Sequence, residues 1–118
     1  MPRIEKFEDI LAWQKAKRLC LLVYRVFKNN RDYRFRDQIQ AASVSIMNNI
    51  AEGFEKKGDK DFSKFLYISK GSCGEVRSML YLAVELEYVS GKEFDEMFRA
   101  TEEISRMLSG FIKSIKTF

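Results

Sequence analysis

The stretch Gln38–Gly53, QIQAASVSIMNNIAEG, decides how the chain is read. Ile39, Ala42, Ile46 and Ile50 recur every three or four residues, which places them on one face of a helix. Gln38, Ser45 and Asn49 lie beside that apolar face, too close to it to be ordinary solvent-facing residues. The segment is also rich in small side chains, with Ala41, Ala42, Ser43 and Ser45 in one run. A helix of this composition expects a close neighbour.

Working outward, the same 3-4 spacing appears three more times. Downstream, Phe62, Phe65, Ser69, Cys73, Val76, Leu80 and Ala83 predict a helix over about 60–87, with Asp59 as its cap. Upstream, Trp13, Ala16, Cys20, Val23 and Phe27 form a heptad-like seam, widened by Ala12, Leu19, Leu22 and Val26. That helix spans about 8–28, with Asp9 as a cap or first-turn charge, and Asn29-Asn30-Arg31-Asp32 makes the turn. The central helix then runs over about 33–57 with Gly58 as its stop. Ser90-x-x-Glu93 has the spacing of a capping box and opens a fourth helix over about 91–116. Its stripe is Phe94, Met97, Thr101, Ile104, Leu108, Phe111 and Ile115. The single proline, Pro2, precedes every helix, and no stretch alternates as a strand would. The chain therefore reads as all-α, one domain over 1–118. Its short connections predict an antiparallel, up-down-up-down four-helix bundle.

Folding the second helix onto the third about Asp59 puts Ser45 level with Cys73 and Asn49 level with Ser69. The small residues of the second helix then oppose Gly71, Ser72 and Gly74. A helical glycine costs about 1 kcal/mol relative to alanine, so two of them suggest a close approach of backbones. The alternative is a locally loosened helix. The expected structural seam comprises Gln38, Ser45, Asn49, Gly71, Ser72, Gly74 and Glu75.

Taken together, these segments resemble a known family, the small four-helix-bundle proteins encoded in intervening sequences of bacterial 23S rRNA genes. Phe7, Asp9, Trp13, Gln14 and Ala16 match its opening motif, and Tyr24 its first-helix aromatic. Gln38, Ile39, Ala42, Val44, Ser45 and Ile46, followed by Asn49–Gly53, match its second helix. Phe65, Leu66, Gly71, Ser72 and Glu75 match its third. Two positions depart from the pattern. Gln40 and Ala41 stand where the family often has a basic pair, and Met47 where it often has proline. The resemblance implies a homo-oligomeric ring, a pentamer, of unestablished biochemical role. It also implies kinship with accessory proteins of retroelements, which bind a reverse transcriptase and nucleic acid.

Composition excludes several chemistries. Histidine is absent, which removes Ser-His and Cys-His pairs, His-bearing zinc sites and the Glu-x-x-His di-iron motif. Neither Cys20 nor Cys73 has a CxxC partner, and both read as reduced core thiols. Glu52 and Glu55 could share a helical face as in magnesium-dependent nucleotide hydrolases, but no matching acidic set stands on the third helix, where Glu75 is alone. Solvated charge is the simpler account. The expectation is a protein that is not an enzyme, with no catalytic residues, metal or cofactor. The charged N-terminus does not read as a signal peptide, and no apolar run approaches the ~20 residues of a membrane span. A cytoplasmic location is expected.

Formal net charge is +4, carried by the first half: residues 1–58 hold 12 Lys and Arg against 7 Asp and Glu. Arg25, Lys28, Arg31, Arg34 and Arg36 surround the first turn with Tyr33 and Phe35 interleaved, a candidate nucleic-acid footprint. In the predicted topology Glu85, Glu87, Glu93, Asp95 and Glu96 reach the same end. Opposite charges there could pair within a subunit or between subunits, and that alternative stays open against RNA contact. Lys56, Lys57, Lys60 and Lys64 form a second, more diluted cluster at the other end. Leu21, Tyr24, Val44, Tyr67, Tyr81, Val84 and Met107 fall off the main stripes, more apolar surface than a monomer ordinarily shows. The expected role is an oligomeric helical module binding RNA, DNA or a nucleic-acid-processing partner such as a reverse transcriptase. The alternative is a protein–protein scaffold without nucleic-acid binding.

Overall fold

A computed structural model describes residues 4–116. It contains four α-helices: α1 (Leu11–Phe27), α2 (Tyr33–Glu55), α3 (Asp59–Glu85) and α4 (Gly91–Lys116). A 3-10 turn, Phe7–Asp9, precedes α1. The helices pack side by side into a body of 46 × 21 × 19 Å, and no strand occurs among the described residues. Along α2 and α3, Gln38 meets Glu75, Ser45 meets Ser72, and Gly53 meets Phe62. Position rises on one helix as it falls on the other, so the two are antiparallel. The same inversion relates α1 to α2 through Cys20–Ser43 and Phe27–Phe35, and α3 to α4 through Phe62–Phe111 and Tyr81–Phe94. Pro2 lies outside the described residues.

Each helix contributes one buried stripe at helical spacing. Ala16, Val23 and Phe27 of α1, Ile39, Ile46 and Ile50 of α2, Leu66, Cys73, Val76 and Leu80 of α3, and Met97, Ile104 and Leu108 of α4 are fully buried. Burying a Leu, Ile or Phe side chain of this kind contributes about 1.5–3 kcal/mol, so these stripes supply the driving force for assembly. In α3 the inward residue near the start is Leu66, and Phe62 and Phe65 are half-buried at its edge. In α4 Ile112 is buried and Phe111 is half-buried. Both cysteines are buried and unbridged. Burial pushes the Cys73 thiol up to about 12, because a thiolate there would lose its hydration.

The helix ends depart from the sequence expectation in three places, each for a local reason. First, α1 begins at Leu11 and not near Glu8. Ile10 is extended and buried in the core, and Phe7–Asp9 folds back as a separate turn. That turn is fastened by the Gln14 amide donating to the Glu8 carbonyl at 2.9 Å and by Phe7 packing edge-on to Trp13. Asp9 therefore does not cap α1, whose N-cap Ile10 has no side-chain bond. Second, α2 stops at Glu55 with Lys57 in the left-handed region, φ 59°. Gly58, expected to take that conformation, is extended and serves as the N-cap of α3. Third, Asp59 consequently sits inside the first turn of α3, where with Asp61 it faces the positive end of the helix dipole.

At the other end the geometry follows the expected motif. The Ser90 hydroxyl accepts from the Glu93 amide at 3.0 Å, and the Glu93 carboxylate accepts from the Ser90 amide at 2.8 Å. Just before it, Glu87 takes φ 61°, Tyr88 N–H donates to the Ala83 carbonyl, and Glu87 N–H donates to the Val84 carbonyl. This pair of bonds ends α3 as a Schellman motif with a non-glycine residue at the left-handed position.

The glycines invert the reading of the α2–α3 contact. A Cβ placed on Gly71 or Gly74 would meet nothing within 4 Å, so neither glycine is where the backbones approach. The close approach is at Gly53, where a Cβ would fall 2.6 Å from the Phe65 Cβ and 3.1 Å from the Phe62 ring. The reason is rotation: Gly71 points outward on α3, whereas Gly53 lies on the buried stripe of α2. Gly53→Ala should destabilise the fold by about 1–3 kcal/mol through overpacking. Gly71→Ala and Gly74→Ala should each stabilise it by up to about 1 kcal/mol. Urea unfolding of the three variants checks the opposite signs.

Candidate nucleic-acid interface

The Gln38–Gly53 face and α3 make a compact polar seam. The Ser45 and Ser72 hydroxyls share a 2.9 Å hydrogen bond. The Asn49 amide donates back to the Ser45 carbonyl at 2.8 Å and to its hydroxyl at 2.9 Å. Ser69, fully buried, donates to the Ile46 carbonyl at 2.7 Å. At the exposed edge the Gln38 amide donates to the Glu75 carboxylate at 3.3 Å. The pairing departs from the level-matched expectation by one residue at Ser45, which faces Ser72 and not Cys73, and by three at Ser69, which reaches Ile46 and not Asn49. Among the described residues no buried side-chain nitrogen or oxygen lacks a partner. A group whose donors and acceptors are already used on one another has little left for a ligand.

The α1–α2 turn is different. Arg25, Lys28, Arg31 and Arg34 are exposed, and none of them forms an ion pair among the described residues. Arg36 is held locally: it pairs with Asp37 at 3.0 Å and lies over the Tyr33 ring at 4.8 Å. The acidic residues of the α3–α4 turn share this end of the bundle, as the topology requires. Even so, Glu85, Glu87, Asp95 and Glu96 make no ion pair with the basic cluster among the described residues. Glu93 is occupied by its capping box. Ion pairing between the two turns within one subunit, one of the two pairing schemes the sequence allowed, is thus absent among the described residues.

What joins the two turns is a single carboxylate. Asp32 caps α2 by accepting from the Phe35 amide at 3.2 Å, and its second oxygen accepts from the Tyr88 hydroxyl at 2.6 Å. Tyr88 also packs edge-on against Phe35, which in turn packs on Phe27. The Tyr88 hydrogen bond, then the Phe35 amide and the nearby charge of Arg34, hold the Asp32 carboxyl below its ordinary range. The same bond raises the Tyr88 phenol.

Elsewhere the ionisable groups do little. Lys15 pairs with Glu103 at 2.6 Å between α1 and α4, which lowers the Glu103 carboxyl. Glu52 and Glu55 are exposed, and no group of three or more His, Cys, Asp or Glu is placed to hold a metal among the described residues. At the opposite end Lys56 lies over the Phe65 ring at 5.9 Å. No helix of the described residues is long and apolar enough to cross a membrane.

Sequence reasoning passed over two surfaces. Leu11, Tyr33, Ile68, Leu82 and Leu86 are exposed alongside the anticipated Leu21, Tyr24, Tyr67 and Tyr81, whereas Val44, Val84 and Met107 are half-buried. The α3–α4 groove also gathers Lys70, Arg77, Arg106 and Lys113 around a single acid, Glu102, among the described residues. Its signal lay in seven-residue spacing, which a search for charge runs does not detect.

The family model for the 23S rRNA-intervening sequence protein matches residues 8–110, from the N-terminal turn into α4. The chain belongs to that family. A crystal structure of a protein of unknown function from the S23 ribosomal protein family of Bacteroides thetaiotaomicron VPI-5482 is similar, with a TM-score of 0.82. Its identity to this chain is 21%, over 87% of this chain and 99% of that one, which shows a shared fold. No curated protein matches. The family segments that carried the resemblance have structural duties here: Phe7, Trp13 and Gln14 fasten the N-terminal turn, and Ser45, Asn49 and Ser72 build the seam.

Tyr88→Phe tests the bond between the turns. Asp32 has a depressed carboxyl, so its contribution to stability is present above the ordinary carboxylate range and lost as pH falls through the depressed value. Tyr88 is raised, so its contribution is present below pH about 10 and lost as pH rises through the raised value. In Tyr88→Phe the Asp32 carboxyl, followed by carbon-detected NMR titration, should move up towards its ordinary value. An unchanged titration would show that the Phe35 amide and the Arg34 charge set it without Tyr88.

Proposed function

We propose that the protein is a non-catalytic, self-associating helical module that binds nucleic acid through the basic α1–α2 turn. The carrying observation is that Arg25, Lys28, Arg31 and Arg34 form no ion pair among the described residues, although five acidic residues share their end of the bundle. An exposed, predominantly basic cluster with Tyr33 in its midst, interrupted by Asp32 and Asp37, is the electrostatic footprint of a phosphate-binding surface. The absence of a basic pair at Gln40 and Ala41 moves that footprint away from the middle of α2. Self-association is supported by Leu21, Tyr24, Tyr81, Leu82 and Leu86, all 44% or more exposed. Family kinship suggests a pentameric ring, a reverse-transcriptase-like enzyme as a class of partner, and work in the cytoplasm.

A second reading is favoured by those same apolar residues: a protein–protein scaffold in which the basic turn of one copy meets the acidic α3–α4 turn of the next. The two readings separate in one experiment. Binding of a structured RNA is measured against salt for the wild type and for a variant with Arg31, Arg34 and Arg36 reversed to Glu. Nucleic-acid binding predicts a log–log salt slope reduced by about 0.7–0.9 for each phosphate that the variant no longer neutralises, with oligomer mass unchanged. The scaffold predicts altered mass by light scattering and no RNA binding in the wild type.

A further inference from the structure

One face of α3 carries Tyr67, Lys70, Gly74, Arg77 and Tyr81 in strict 3-4-3-4 spacing. Two cations lie seven residues apart, about 10 Å along the axis, with a glycine between them and a tyrosine beyond each. Gly74 has no part in helix packing, since a Cβ there would meet nothing within 4 Å. Across the groove, α4 presents Arg106 and Lys113, again seven residues apart, with Ser105, Ser109 and Gly110 forming a low floor between the helices. Two adjoining hollows of about 360 and 330 Å³ share Lys70 and Ser109, so the groove is continuous. Among the described residues Glu102 is the only acid lining it, and Lys70, Arg77 and Arg106 form no ion pair.

We propose that this α3–α4 groove is a binding site for a single strand of nucleic acid, a second contact resting on the nucleic-acid reading given above. The cation rows would follow the phosphate backbone. At one end Tyr81, about half exposed although its ring packs against Phe94 and Phe98, would offer its outer side to a stacking base. The bare backbone at Gly74 leaves room for the strand to pass between Lys70 and Arg77. A helix former at that position would be more stable and would close the passage, which accounts for a glycine that the bundle itself does not require.

The test is fluorescence anisotropy of a labelled single-stranded RNA oligonucleotide with the full chain, together with thermal unfolding and light scattering. Lys70→Glu with Arg77→Glu should weaken binding about tenfold or more and flatten its salt dependence. Gly74→Gln, which adds bulk into open space, should weaken binding while leaving Tm unchanged or raised. Binding that survives both changes but disappears on reversing Arg31, Arg34 and Arg36 would overturn the groove site and leave the nucleic-acid reading standing. No salt-dependent binding by the wild type would overturn both. A shift in oligomer mass in the groove variants, without RNA, would assign the groove to contact between copies. Displacement of the RNA by polyglutamate at equal charge concentration would assign it to acidic polypeptide.

Discussion

The Ser69 hydroxyl donating to the Ile46 carbonyl across the α2–α3 boundary is the contact around which the bundle is registered. A fully buried hydroxyl left without its partner costs about 1–3 kcal/mol. Sliding one helix past the other by a turn would strand Ser69 and at the same time break Ser45 from Ser72. About two turns further along, Gly53 lets the α2 backbone settle onto Phe62 and Phe65, so the same pair of helices is fixed in depth as well as in level. Apolar stripes alone would tolerate several registers, because Leu, Ile and Met can repack against one another. Directional bonds at two levels and a steric contact at a third leave one.

That division of labour explains what could be read directly. Periodicity located all four helices, since each stripe must face a common core, and the Ser90–Glu93 pair located a boundary because its two bonds depend only on a three-residue spacing. The ends of α1 and α2 were less legible. Ile10 is extended and buried where the helical run would have continued, and burial is a tertiary quantity. Lys57 adopts the left-handed conformation beside an available glycine because that glycine is needed extended as the next cap. Gly71, Gly74 and Gly53 show the same limit: composition reveals that glycine is spent, and only the rotation of each helix reveals on which side.

The candidate site was partly legible for a related reason. The α1–α2 cluster is contiguous in sequence, so its residues could be named, but whether the acidic α3–α4 turn answered its charges depended on side chains distant in sequence. Apart from Arg36, which pairs with its neighbour Asp37, its charges are not answered by ion pairs among the described residues. The α3–α4 turn approaches through Tyr88 and a hydrogen bond, and its carboxylates stay apart from the arginines. The groove between α3 and α4 is assembled from two helices at matched intervals, and neither helix alone reads as basic. The groove is locally basic although residues 59–118 hold 9 Lys and Arg against 10 Asp and Glu.

Cys73 sits at the middle of α3, fully buried and with its thiol held near 12. At neutral pH such a thiol stays protonated, and a reagent cannot reach it through the packed core. Its alkylation can therefore proceed only when the centre of the bundle parts. The residue is a built-in clock: the rate at which it is trapped counts the openings of the seam's own neighbourhood, and distinguishes breathing of the bundle from fraying at its ends.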